Sequence, residues 1–372
     1  MEFLTEYGMF LAKIVTLLIG LGMLVTLVAN ASKIRTREKG HLEVTSLNTK
    51  FDNLKRSLED AMLRPEQRKS VAKSRKKQEK AERKAAKKNK PRVDTPDKSL
   101  ATDSVNDTSQ YDTAEHSDNT DKNNVFVLEF HGDLRASAVE ALRHEISAVL
   151  GHARPCDEIV VKLQSPGGLV HSYGLAASQL DRIKKAQIPL TICVDKVAAS
   201  GGYMMACVAD KILAAPFAVL GSIGVMAQIP NIHRLLKRHD IDVELMTAGK
   251  YKRTLTVLGE NTAEGREKFQ EELQDTHSLF KDYVATRRAN IDIEEVATGE
   301  VWYGERALAV GLIDELKTSD EYLAELADSA NLFSVKYIEK KTLPEKLGIA
   351  AEESSERIVT RWLQRSVNPD IQ

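Results

Sequence analysis

The chain has 372 residues, 42% of them hydrophobic and 29% charged, with a formal net charge of -1 and a pI of about 6.8. That composition supports folded modules and excludes a wholly disordered chain. Three cysteines, Cys156, Cys193 and Cys207, lack CxxC or Cys/His spacing, so neither a disulfide framework nor a zinc site is expected, and their apolar neighbours predict buried free thiols.

The first predicted element is an apolar helix within Gly8 to Ser32. From Ile14 onward 19 residues carry no charge, about enough to cross the hydrocarbon of a bilayer. Ala29-Asn30-Ala31 resembles a signal-peptide cleavage site, but Glu2 and Glu6 stand where such peptides carry positive charge, which favours a retained anchor. Lys33, Arg35, Arg37 and Lys39 follow the apolar run and only Lys13 precedes its core, so the positive-inside bias puts the remainder of the chain on the cytoplasmic side.

Residues 1–39 thus read as anchor and flanks, and 40–66 as an amphipathic helix, with Val44, Leu47, Phe51, Leu54, Leu58 and Ala61 in steps of three and four. From Arg68 to Arg92 there are 13 Lys/Arg and two Glu. The run lacks aromatics for base stacking, so anionic lipid or plain solvation is expected rather than nucleic acid. From Asp94 to Asn124 the composition turns acidic and Ser/Thr/Asn-rich, and 67–124 is expected to be a disordered linker.

A folded domain is expected over 125–335, with 336–372 as a tail containing a second amphipathic stretch, Glu353 to Leu363. "VFVLEFHG", "EIVVKLQSPGG" and "IPLTICVD" read as buried strands, and Ala136 to Leu150 and Val170 to Lys185 as the helices between them. This alternation predicts an α/β fold with largely parallel strands. Later elements are a charged amphipathic helix, Ala263 to Ala289, and a turn, helix and returning strand in "WYGERALAVGLIDEL", with Gly311 as the helix stop and Trp302 in the core.

Three glycine-bearing stretches close or flank strands: "QSPGGLV", "AASGGYM" and "LGSIGVM". In the second, Ser200 stands in an apolar setting ahead of a helix predicted through Met204 to Ala209. There its hydroxyl would meet free helix N–H groups that favour developing negative charge. Amides of the Pro166-Gly167-Gly168 turn, with that of Gly201, are candidate oxyanion donors. His233, His239 and His277 lie on polar helical stretches and read as solvated, so a lysine kept neutral by burial is the alternative base. "ELMTAGKYKRTLT" offers Lys250 and Lys252.

In order, "QSPGG", "VAASGGYMMACVAD", "LGSIGV", "GKYK" and "WYGERALAVGLIDEL" resemble the signal peptide peptidase A family of serine proteases, over Val125 to Ala330. The anchored, single-domain layout is similar to its short members. The resemblance implies a ClpP/crotonase-like fold of repeated β-β-α units, preceded here by one transmembrane helix and a disordered charged linker. It implies a Ser/Lys dyad at Ser200 and Lys252, Ser222 holding the lysine amine, and Gly167 and Gly168 as the oxyanion turn, with no cofactor or metal. Lys250 and Arg253 are departures that place extra positive charge beside the base. It also implies polypeptide substrates such as leftover signal peptides, the bacterial inner membrane as location, and a homo-oligomeric ring in which neighbouring subunits share each active site. A substrate strand is expected to add to an edge around Val219 to Ala227. The rival readings are a crotonase-like acyl-CoA enzyme and a catalytically idle membrane scaffold.

Overall fold

The computed structural model describes residues 40–63, 73, 77 and 122–339. The predicted anchor, most of the charged linker and the tail helix at Glu353 to Leu363 lie outside the described residues. Among the described residues no helix is long and apolar enough to cross a membrane. Glu43–Lys336 forms one compact unit. Gly40–Leu42 and Tyr337–Glu339 belong to a second, in which a side chain at Gly40 would meet the Tyr337 ring.

Among the described residues, ten strands form two sheets. The larger contains β1 (Gly40–Ser46), β2 (Asn124–His131), β3 (Glu158–Gln164), β4 (Leu190–Val194), β6 (Lys211–Ala214), β9 (Glu315–Leu316) and β10 (Asn331–Glu339), in the order β1-β10-β2-β3-β4-β6-β9. Its pairs from β10 through β9 are parallel. The smaller sheet has the order β5-β7-β8, from β5 (Val197–Ala199), β7 (Val219–Gly221) and β8 (Val301–Tyr303); β7 runs parallel to β5 and antiparallel to β8. The protein is therefore α/β, with a mixed smaller sheet.

The continuous apolar runs follow from burial on both faces. Phe126, Leu128 and Phe130 of β2 point into the main core, and Val125 and Val127 into a second cluster on the other side. The main core is closed by α2 (Val139–Leu150) and α3 (Val170–Lys185). Leu142, Ile146 and Val149 of α2, and Tyr173, Ala176, Leu180 and Ile183 of α3, recur at helical spacing and are buried. Each such Leu or Ile stabilises the fold by roughly 1.5–3 kcal/mol relative to exposure. On the far side, Leu47 and Phe51 of α1 (Leu47–Met62) pack with Tyr322 and Leu326 of α9 (Ser319–Ser329).

Several boundaries differ from the sequence reading. Val44 lies in β1, and the helix begins only at Leu47, where Ser46 accepts from the Thr49 amide as N-cap. Helix α2 begins at Val139 rather than Ala136. Ala136 has φ 50°, and the Asp133 carboxylate takes the Arg135 and Ser137 amides into a tight turn instead. Cys193 and Cys207 are buried thiols as expected, whereas Cys156 is exposed, in the loop before β3. Two helices match closely: α3 spans the predicted Val170–Lys185, and α6 is Ala263–Arg287. Gly311, at φ 78°, follows α8 (Gly304–Ala309), and Trp302 of β8 is partly buried against the core.

A repeat organises the centre. β4 lies in the large sheet, β5 in the small one, and α4 (Gly201–Ala206) follows; β6 and β7 repeat the division. β3 joins the pattern through a parallel bridge from Ser165 to Ala198. Successive units thereby bring the ends of β3, β5 and β7 together, and open α/β sheets bind ligands outside such strand ends.

Candidate active site

Ser200 occupies the one-residue turn between β5 and α4, at φ 52° and ψ -120°. A non-glycine residue in this sparsely populated region costs about 1–3 kcal/mol, and such strain persists only where the surroundings enforce it. Here the Ser200 amide donates to Gly221 O at 2.8 Å, and its carbonyl accepts the Met204 amide at 2.9 Å, at the start of α4. The helix therefore begins directly after the serine, three residues before the predicted Met204, because Gly201 and Gly202 already have helical geometry. A sharp strand-to-helix turn of this kind lifts the serine hydroxyl clear of the sheet. Among the described residues no group is hydrogen-bonded to the Ser200 hydroxyl.

Ser222 is its neighbour in the sheet. The parallel register pairs Ala199 with Gly221, so the next residues on the two strands are Ser200 and Ser222. Ser222 also has positive φ, 49°. Its amide donates to Glu300 O at 2.7 Å, and its hydroxyl reaches Gly299 O at 3.4 Å, a long contact.

The glycine turn presses on Ser200 from the β3 side. Gly167 has φ 88°, and a Cβ there would lie 2.7 Å from Ala199 O and Gly201 N and 2.8 Å from Ser200 Cβ. Any side chain would displace the serine turn. Gly167 N–H donates to Ser165 Oγ at 3.1 Å. Gly168 N–H and Gly201 N–H, by contrast, have no hydrogen-bond partner among the described residues; Gly201 directly follows Ser200, and Gly168 follows Gly167, which abuts the serine turn. Leu134, Leu169 and Val170 form an exposed apolar rim next to this turn. Leu169 N–H donates to Leu134 O at 2.9 Å.

The two lysines lie on a long excursion between β7 and α6. Its base is tied by Asn231 Nδ2, which donates to Thr256 O at 2.9 Å and Gly259 O at 3.0 Å. Lys250 is engaged: its ammonium pairs with Glu264 at 2.9 Å and lies over the Tyr251 ring. Tyr251 and Glu264 hold it protonated, well above the usual lysine range. The extra positive charge expected from Lys250 is thus offset by Glu264. Lys252 is exposed, not buried as expected of the base, and among the described residues no hydrogen bond or ion pair engages its side chain or joins it to Ser200 or Ser222. His277 is not solvated as expected: its Nε2 lies 3.2 Å from Ile223 O, beside Ser222, because α6 packs along the strand end. Among the described residues no cluster of three His, Cys, Asp or Glu is arranged to hold a metal.

Of the expected substrate edge at Val219 to Ala227, the part Val219–Gly221 is corrected: it is the central strand of its sheet, with β5 on one side and β8 on the other, and has no free backbone edge to offer.

Comparison with known proteins decides the family. Residues 2–180 match Peptidase family S49 N-terminal, and residues 182–333 match Peptidase family S49. The chain belongs to peptidase family S49. It is a serine-type peptidase, which sets aside the acyl-CoA reading. The Probable protease SohB of Haemophilus influenzae is 47% identical over 97% of this chain and 96% of its own. That of Buchnera aphidicola subsp. Schlechtendalia chinensis is 42% identical over 87% of this chain and 99% of its own. A solved membrane-bound stomatin-specific protease with a bound substrate peptide is 16% identical, over 61% of this chain and 96% of its own, at a TM-score of 0.36.

Sequence reasoning missed Ser165, Tyr173 and Gly132, which lie behind the serine turn. Ser165 stood inside a quoted motif whose glycines alone were read for chemistry. Tyr173 carried no signal beyond its place on the buried face of α3.

Proposed function

We propose that this S49 peptidase is a membrane-tethered endopeptidase working through a Ser200–Lys252 dyad. The observation that carries the reading is the strained turn at Ser200, with the unpartnered Gly168 and Gly201 amides beside it. Lys252 acts as general base, taking the proton from Ser200 as the hydroxyl attacks a peptide carbonyl. Gly168 and Gly201 N–H hold the oxyanion, and the lysinium returns its proton to the leaving amine. Ser222, next to Ser200 in register, positions the amine of Lys252. Lys250 is the poorer base, because its pairing with Glu264 favours the charged form. Polypeptides with apolar segments, leftover signal peptides among them, suit the rim of Leu134, Leu169 and Val170.

The dyad is completed between neighbouring copies of the chain. The excursion that carries Lys252 leaves Leu235, Ile241, Leu245 and Met246 exposed, Met246 at 86%. Large apolar side chains exposed along one segment are the kind of surface that association covers. The anchor at Gly8 to Ser32 tethers the assembly to the inner membrane, with the peptidase unit on the cytoplasmic side by charge bias.

Mixing two inactive full-length proteins tests the whole reading. Ser200→Ala and Lys252→Ala are each expected to lose cleavage of an unfolded apolar peptide. Co-assembled in equal amounts, they should regain on the order of a quarter of wild-type activity, since head-to-tail contacts pair one intact serine with one intact lysine at that frequency. Full activity of Ser200→Ala alone refutes the assignment. Two dead single variants with no recovery on mixing refute the shared site.

A further inference from the structure

A buried hydrogen-bond chain lies directly behind the serine turn. Gly167 N–H donates to Ser165 Oγ at 3.1 Å, Ser165 Oγ and Tyr173 Oη are 2.6 Å apart, and Tyr173 Oη donates to Asp133 O at 2.7 Å. Ser165 and Tyr173 are both fully buried. The direction of the middle bond follows from its ends. An amide N–H only donates and a carbonyl only accepts, and the single phenol proton is used on Asp133. Ser165 therefore gives its proton to Tyr173 and accepts from Gly167, and every bond runs the same way, from the oxyanion turn to the start of the Asp133 loop. Burial pushes the Tyr173 phenol above its ordinary value, which favours the protonated, donating form.

The surrounding glycines make room for this pair. A Cβ at Gly132 would fall 2.2 Å from Ser165 Oγ and 2.4 Å from Tyr173 Oη. One at Gly201 would fall 2.4 Å from the Tyr173 ring, and one at Gly202 2.4 Å from Ser165 O. The double glycine after Ser200 is thus required by what lies behind the turn.

We propose that Ser165 and Tyr173 are positioning residues for peptide hydrolysis, a one-way hydrogen-bond chain that fixes the Pro166–Gly168 turn so that the Gly168 amide stays free beside Ser200. The inference rests on the reading of Ser200 as nucleophile. A fixed donor stabilises the oxyanion without reorganising during the reaction. Consuming the Gly167 N–H in the chain leaves the oxyanion to Gly168 and Gly201.

The test uses full-length Tyr173→Phe and Ser165→Ala enzymes, a fluorogenic apolar peptide and a peptide boronate that mimics the tetrahedral intermediate. Each variant is expected to lose about ten-fold or more in kcat. KM should stay within about two-fold, the sign of an interaction made mainly in the transition state. Boronate affinity should fall in step with kcat/KM, while binding of the uncleaved peptide, measured on a Ser200→Ala background, stays unchanged. Unchanged kcat in a folded variant overturns the proposal, as does a loss of kcat with undiminished boronate affinity. If Tyr173→Phe does not fold, Ser165→Ala decides on the same readouts; if neither folds, the pair is a folding requirement and the proposal fails. Activity remaining in Ser200→Ala, by contrast, removes the nucleophile assignment itself. A dead Ser200→Ala beside a fully active Tyr173→Phe removes only the chain.

Discussion

The Ser200 amide donates to the Gly221 carbonyl at 2.8 Å, and this bond ties the strained serine to the strand that carries Ser222. Both serines leave their strands at positive φ, and Gly221 itself has φ 81°. A change at Gly221 is therefore felt at Ser200 without touching its side chain.

Gly221→Ala tests that linkage. A Cβ there would sit 2.8 Å from Trp302 Cδ1, on a backbone that disfavours side chains by about 1–2 kcal/mol. The expected outcome is a lower Tm, by roughly 2–8 °C for that loss of stability. Ser200 should also react more slowly with a serine-directed phosphonate. A variant with unchanged Tm and labelling rate would show that the strand end adapts freely.

Two glycines only seven residues apart should respond in opposite directions. Gly167→Ala meets backbone and Ser200 Cβ atoms within 2.8 Å, at φ 88°. By displacing the serine turn and the neighbouring Gly168 amide it should cut cleavage by about 100-fold or more, the size of losing one oxyanion donor. Gly174 lies inside α3 with open space where a Cβ would go. Gly174→Ala should stabilise the protein by about 0.5–1 kcal/mol, read by urea unfolding, with activity intact.

Acid should weaken the fold partly through Asp157. Burial pushes its carboxyl up, but the Arg154 side chain and the Asn124 and Arg154 amides hold it below the usual carboxylate value. A depressed folded-state value means the contribution is fully present above the unfolded value of about 3.9 and is lost as the pH falls through the folded one. Asp157→Asn should therefore lower Tm at neutral pH and reduce the further fall of Tm below about pH 4. An equally steep acid dependence in the variant would assign the loss to other groups.

Much of this protein was legible in its sequence because the signals are local. The doubly apolar runs at Phe126 to Phe130 and Ile159 to Leu163 announced buried parallel strands, and the helical period from Val170 to Lys185 fixed α3 to the residue. The motif around Ser200 marked the turn, since glycine permissiveness and strand-to-helix changes are written within a few residues. Tertiary structure alone decided what those residues meet. Val219–Gly221 reads equally as an edge or a central strand, and only its pairing with β5 and β8 makes it central. Lys250 differs from Lys252 in meeting a carboxylate, and that carboxylate, Glu264, lies on another element. Ser165 and Tyr173 meet at 2.6 Å because β3 and α3 are packed against one another, a contact that propensity and period do not encode. Local sequence specifies backbone geometry, whereas partners across the fold follow from which elements become neighbours.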